Sequence, residues 1–134
     1  MTKPEPEITI ARRPALVALG IAVVACALVA WGVAQFMADP SRMAGGALAG
    51  VAVVGVLFFG GALLVASGKP RSVTLLPAVW MGATVGRVMG LLFVGFPIYF
   101  AAPQILPPFA VGAGGAYLVC LVVETAVIAR QALR

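Results

Sequence analysis

Long apolar runs alternate with short polar breaks along the chain, and this pattern predicts four membrane-spanning helices. Each run has about 20 residues or more, the length that a helix needs to cross the hydrocarbon. The predicted spans are residues 14–37, 43–66, 76–100 and 108–129. Residues 1–13 form a polar head, which we expect to be mobile, ahead of a transmembrane domain over residues 14–134. The predicted fold class is therefore an all-α integral membrane protein.

The composition supports this class and argues against an enzyme. Hydrophobic residues make up 63% of the 134 residues and charged residues 10%, with a mean hydropathy of +1.12. The chain has no histidine, which removes the commonest general base and metal ligand. Cys26 and Cys120 both lie in apolar runs, where a thiol behaves as a small hydrophobe. We expect no enzyme activity, no cofactor and no metal site.

The charges indicate how the helices are oriented. The net charge is +5, and the basic residues flank the spans. One side carries Lys3, Arg12, Arg13, Lys69, Arg71, Arg130 and Arg134, and the other carries only Arg42. The positive-inside rule then predicts that both termini and the loop over residues 67–72 are cytoplasmic. We interpret the basic residues as orientation signals beside the lipid bilayer, not as a nucleic-acid interface.

The third span contains an arginine next to a row of glycines. Gly82, Gly86 and Gly90 are spaced four residues apart, so they lie along one side of a helix and let another backbone approach closely. Arg87 lies about 100° round from Gly86, at the edge of this groove. A charge inside a span costs from ~3 to more than 10 kcal/mol, so an intramembrane arginine predicts a functional site.

Glu124 is the other charge inside a predicted span. It precedes Arg130 by six residues, about 9 Å, which roughly matches the depth of Arg87 below Trp80. A short loop joins spans three and four, which predicts that they are antiparallel neighbours. Arg87 and Glu124 form an internal ion pair, or one or both are offered to a partner helix, or they belong to an ion path. The glycine groove favours a partner, and a path would need more polar groups along its length.

Three features give the chain a family resemblance. The second span is glycine-rich over residues 45–50, the third has a small and then a basic residue before a leucine-rich stretch over residues 86–92, and residues 107–111 open an apolar fourth span that ends in basic residues. In these features the chain resembles the ATP synthase I family, small four-span proteins associated with bacterial F-type ATP synthases. Arg87 occupies the position of the basic residue in that family's third span, whereas Glu124 matches no family feature.

The resemblance implies an assembly factor of the bacterial plasma (inner) membrane that helps the ring of c subunits to form. A c subunit is a glycine-rich helical hairpin with a buried carboxylate. We therefore expect Gly82, Gly86 and Gly90 to contact it and Arg87 to shield that carboxylate, with Glu124 as a further candidate for the contact. A small ion or drug transporter or channel is the alternative function, and a scaffolding subunit is a third. The glycine faces of spans two and three allow packing within the chain or in a homo-oligomer.

Overall fold

The computed structural model describes residues 4–134, and 80% of it is helical. The elements in chain order are β1 (Glu7–Ile8), α1 (Arg12–Ala34), α2 (Pro40–Val65), β2 (Arg71–Ser72), α3 (Leu76–Ala101), a 3-10 turn (Pro103–Ile105) and α4 (Leu106–Ala132). Each of the four helices is long and apolar enough to cross a membrane. The prediction of four long apolar helices is therefore confirmed.

The turn between α1 and α2 shows why the helix ends differ from the predicted spans. α1 ends at Ala34, and the next residues form single turns in which the amide of Met37 donates to the carbonyl of Ala34 at 3.1 Å. The carboxylate of Asp39 accepts a hydrogen bond from the amide of Arg42 at 3.4 Å and so caps α2. Pro40 occupies the first turn of that helix, where its missing N–H costs nothing.

α2 is the central helix, and its glycines bring it into backbone contact with α4. A Cβ on Gly50 would lie 2.7 Å from the backbone nitrogen of Ala113, and a Cβ on Gly112 would lie 2.7 Å from the Cα of Ala47. No side chain fits between backbones that approach so closely. The prediction that the glycine-rich second span packs against other helices is confirmed.

The main apolar core lies between α1, α2 and α4, and α3 is peripheral. The buried core residues are Leu19, Ala22, Val51, Val54, Phe58, Ala62, Phe109, Ala113, Ala116 and Cys120. In α3 only Ala83 and Arg87 are buried. α3 packs mainly on α2 and makes few backbone approaches to α4. The third and fourth helices nevertheless contact each other, as the sequence predicts, and Ala83 of α3 belongs to the same small apolar cluster as Val127 and Ile128 of α4.

The described part of the N-terminal head is held against the end of the bundle. β1 pairs with β2 in an antiparallel arrangement, and Ile10 is only 3% exposed. The amide of Ala11 donates a hydrogen bond to Oε1 of Gln131 at 2.6 Å. The sequence predicts a mobile head, but these contacts hold its described part in place. Backbone N–H and C=O groups of the head and of the loop between α2 and α3 form hydrogen bonds with each other. Lys3, which was assigned to the cytoplasmic side, lies outside the described residues.

Candidate functional site: a buried ion pair and an outward glycine strip

Arg87 of α3 and Glu124 of α4 form a buried ion pair. Nη1 of Arg87 donates to Oε2 of Glu124 at 2.5 Å, and Nη2 donates to Oε1 at 2.6 Å. The side chains are 2% and 3% exposed. Two parallel charge-assisted hydrogen bonds make this the strong, bidentate form of the interaction. Of the three interpretations that the sequence leaves open, the structure shows the internal ion pair.

α2 provides the surface on which the guanidinium rests. A Cβ on Gly61 would lie 2.6 Å from Nε of Arg87 and 2.8 Å from its Cζ, so only a glycine leaves room here. The Cζ atom lies 4.1 Å from the centroid of the Phe58 ring, which is cation–π geometry. Tyr117 of α4 packs edge-on against the same ring, with the centroids 5.2 Å apart. The arginine is therefore held by a carboxylate, a glycine and an aromatic ring.

Helical spacing explains how these side chains meet. Phe58 and Gly61 are three residues apart and share a face of α2. Tyr117 and Glu124 are seven residues apart, about two turns, and share a face of α4. α3 contributes the long side chain of Arg87, which joins α3 to this face of α4.

Two further features lie beside the ion pair: a nitrogen atom without a hydrogen-bond partner among the described residues, and a small cavity. Nε of Arg87 is buried without a hydrogen-bond partner among residues 4–134. Glu124 also borders a small cavity of about 10 Å³ beneath Ile10, which is close to the smallest volume that holds one water molecule. The docked N-terminal segment covers this cavity. The pair is thus electrically neutral as a unit and is shielded on both sides.

The predicted glycine row divides into an outward and an inward part. Gly82 and Gly86 are exposed, and a Cβ built on either would meet nothing within 4 Å. Gly90 instead faces α2, where its Cβ would lie 2.6 Å from Cδ2 of Leu57. We call Gly82 and Gly86 the outward strip. Arg87 follows this strip directly in sequence but points inward.

Sequence reasoning missed both α2 residues of the site. Gly61 follows Gly60, and each glycine in a helix weakens it by about 1 kcal/mol relative to alanine. Two successive glycines therefore signal that a neighbouring backbone or side chain needs the space. Phe58 gave no signal, because a phenylalanine in an apolar helix is ordinary. Tyr117 shares a face of α4 with Glu124, and its ring packs on Phe58.

Within the part of the chain that the structure describes, no three acidic, cysteine or histidine side chains lie close enough together to hold a metal ion. Comparison of the chain with protein-family models, with curated proteins and with solved structures finds no match.

Proposed function

We propose that the protein is a membrane assembly factor that docks a helix of a partner protein on the outward strip of α3. The observation that carries the proposal is the exposure of Gly82 and Gly86. Glycine weakens a helix by about 1 kcal/mol relative to alanine, and a Cβ on either glycine would meet nothing within 4 Å among residues 4–134, so packing in this part of the chain does not require glycine there. Close approach of a partner backbone, as in membrane GxxxG contacts, gives them a role.

The difference between α3 and the other helices supports this role. The glycines Gly50 and Gly112 are used up in the contact between α2 and α4. α3 has a single close glycine contact, at Gly90, and most of its surface faces away from the bundle. A peripheral helix with an outward strip is suited to bind another helix without disturbing the core.

The proposed partner is the c subunit of an F-type ATP synthase. Its identity rests on the resemblance to the ATP synthase I family, as do the bacterial inner membrane and, together with the distribution of basic residues, the cytoplasmic termini. A glycine-rich hairpin offers a second backbone that approaches closely, so two glycine faces pack against each other. The protein then holds c subunits side by side while the ring closes.

Arg87 has two possible roles in this proposal. As placed here, it is neutralised by Glu124 and positions α3, so that the strip faces the membrane. As a shield for the partner's carboxylate, it would exchange Glu124 for that carboxylate when the partner docks. Both roles keep the outward strip as the contact surface, and they differ in whether the charge of Arg87 is needed for binding.

The strip is tested by affinity extraction in a mild detergent and identification of the proteins that accompany the tagged chain. Gly86→Leu fills the strip, and Gly95→Leu is the matched control. Gly95 is on the same helix, about 180° round, and its Cβ also meets nothing within 4 Å. We expect the c subunit with the wild type and with Gly95→Leu, and its loss with Gly86→Leu at unchanged abundance of the tagged chain. Equal recovery with both variants, or recovery of the chain alone, contradicts the proposal and directs attention to flux assays in liposomes.

The role of Arg87 is tested by the double variant Arg87→Met/Glu124→Leu, which removes both charges and keeps the apolar volume. Retention of the c subunit shows that Arg87 acts by positioning α3. Loss of the c subunit, with normal abundance and stability of the variant, shows that the charge itself is offered to the partner.

A further inference from the structure

A long apolar groove runs between α1, α2 and α4 on the side of the bundle away from α3. It has a volume of about 600 Å³, within the range of small-molecule sites. It begins at the end opposite the two termini, between Met37, Met43 and Pro107. It continues along α1 as far as Ala25 and along α4 as far as Val119. Each of these stretches covers 13 residues, from Ala25 to Met37 and from Pro107 to Val119, and at a helical rise of 1.5 Å for each of the 12 steps this corresponds to about 18 Å.

The dimensions of the groove decide what fits in it. A volume of about 600 Å³ over about 18 Å corresponds to a mean wall-to-wall width of about 9 Å, once the ~1.4 Å radius of a water molecule is added on each side. A helix with its side chains is about 10–12 Å wide, which exceeds this width. A single hydrocarbon chain fits. The length also matches one leaflet, since half of the ~30 Å hydrocarbon layer is about 15 Å.

The chemistry of the walls agrees with a hydrocarbon chain. The floor is built from small residues, among them Ala30, Ala47, Gly112 and Gly115, which is why the groove exists. The thiol of Cys26 supplies the sole side-chain heteroatom apart from the methionine sulfurs. An occupant therefore needs no hydrogen bonds along the groove, and a polar ligand would lose those that it makes with water.

A positively charged residue directly precedes the end of the groove in sequence. Arg42 is exposed and directly precedes Met43, and among residues 4–134 its guanidinium has no hydrogen-bond partner. The neighbouring Asp39 is engaged, because its Oδ1 accepts from the hydroxyl of Ser41 at 3.1 Å as well as from the amide of Arg42. Arginine is suited to bind phosphate through two parallel hydrogen bonds.

We infer that this groove binds one acyl chain of an anionic phospholipid, whose phosphate contacts Arg42. The lipid belongs to the leaflet at the end of the bundle opposite the termini. The inference does not depend on the proposed function, because the groove and the outward strip share no residue.

Two adjacent glycines of α4 provide a matched test. A Cβ on Gly114 or on Gly115 would meet nothing within 4 Å, but only Gly115 lines the groove. The probes are phosphatidylglycerol and phosphatidylcholine with identical chains, titrated into the full-length protein in mild detergent and counted by native mass spectrometry. We expect one tightly bound phosphatidylglycerol, an affinity at least about tenfold weaker for Gly115→Leu, and an affinity within about twofold of wild type for Gly114→Leu. Arg42→Gln should reduce the preference for phosphatidylglycerol by about tenfold and leave binding of phosphatidylcholine unchanged.

Three results overturn the inference. Equal weakening by the two glycine variants places the lipid elsewhere on the protein. Equal binding of the two lipids by the wild type removes the contact with Arg42. A dimer that Gly115→Leu dissociates shows that a second copy of the chain, and not a lipid, covers the groove.

Discussion

Removal of one partner of the buried ion pair should destabilise the protein strongly, whereas removal of both should not. Arg87→Met leaves the carboxylate of Glu124 buried beneath the docked N-terminal segment without a cation. Glu124→Leu leaves the guanidinium with only the ring of Phe58. An uncompensated buried charge of this kind costs about 3–5 kcal/mol. The double variant replaces the pair with apolar side chains of similar volume, which is neutral or stabilising in other proteins by about 1–4 kcal/mol.

A double-mutant cycle measures this prediction as a coupling free energy between the two side chains. If each single variant costs about 3 kcal/mol and the double variant about 0, the coupling free energy is about 6 kcal/mol. Local relaxation and water penetration recover part of the cost of an isolated buried charge, so we expect a measured coupling of at least about 3 kcal/mol. The free energy of unfolding is measured in mixed micelles by titration with sodium dodecyl sulfate, followed by circular dichroism and by tryptophan fluorescence.

A control separates the pair from general sensitivity of α4. Thr125 follows Glu124, is exposed, and donates only to the carbonyl of Leu121 at 2.7 Å. Thr125→Val should change the free energy of unfolding by less than about 0.5 kcal/mol. If the two charge variants are additive within about 0.5 kcal/mol, the charges do not stabilise each other and our account of the site is refuted.

Further predictions concern the glycines and the N-terminal segment. Gly61→Ala places a methyl group against the buried guanidinium and should destabilise the protein by about 1–3 kcal/mol in the same unfolding assay. Gly60→Ala has open space around its Cβ and should be neutral or stabilising by up to about 1 kcal/mol. Gly112→Ala presses on the backbone of α2, which cannot rotate away, and should cost more than Gly61→Ala; a smaller loss would show that α2 and α4 are less closely packed than described. Ile10→Ser should release the N-terminal segment without unfolding the bundle, because it places a hydroxyl at a buried apolar position. Hydrogen exchange should then speed up at the amide of Val73, which donates to the carbonyl of Pro6, and unchanged exchange would contradict this docking.

The helices and the two charges of the site were predictable from the sequence for physical reasons. Long apolar runs leave a chain few choices besides helices, since the backbone must satisfy its own hydrogen bonds where water is absent. Two opposite charges in adjacent runs at similar depth are likewise conspicuous, because each is costly alone. Arg87 and Glu124 were therefore identified before their contact was known.

The packing around the pair was not predictable in the same way. A glycine signals that space is needed but not which neighbour needs it: Gly61 accommodates a side chain, Gly50 accommodates a backbone, and Gly86 faces open space among residues 4–134. Loop length predicted that α3 contacts α4, but it did not predict that α3 packs more extensively on α2. The docking of Ile10 depends on β2 and α4, which are remote in sequence, so a local pattern did not reveal it.

The separation of Arg87 from Glu124 along the chain also sets an order of events during synthesis. The two residues are 37 positions apart, so at about 5–20 residues per second the arginine leaves the ribosome roughly 2 to 7 s before its counterion exists. In a chain inserted into a membrane as it is made, α3 would carry an unpaired charge until α4 emerges. The ion pair would then couple the last two insertion events, and a chain truncated before Glu124 would leave its third helix with an unpaired charge.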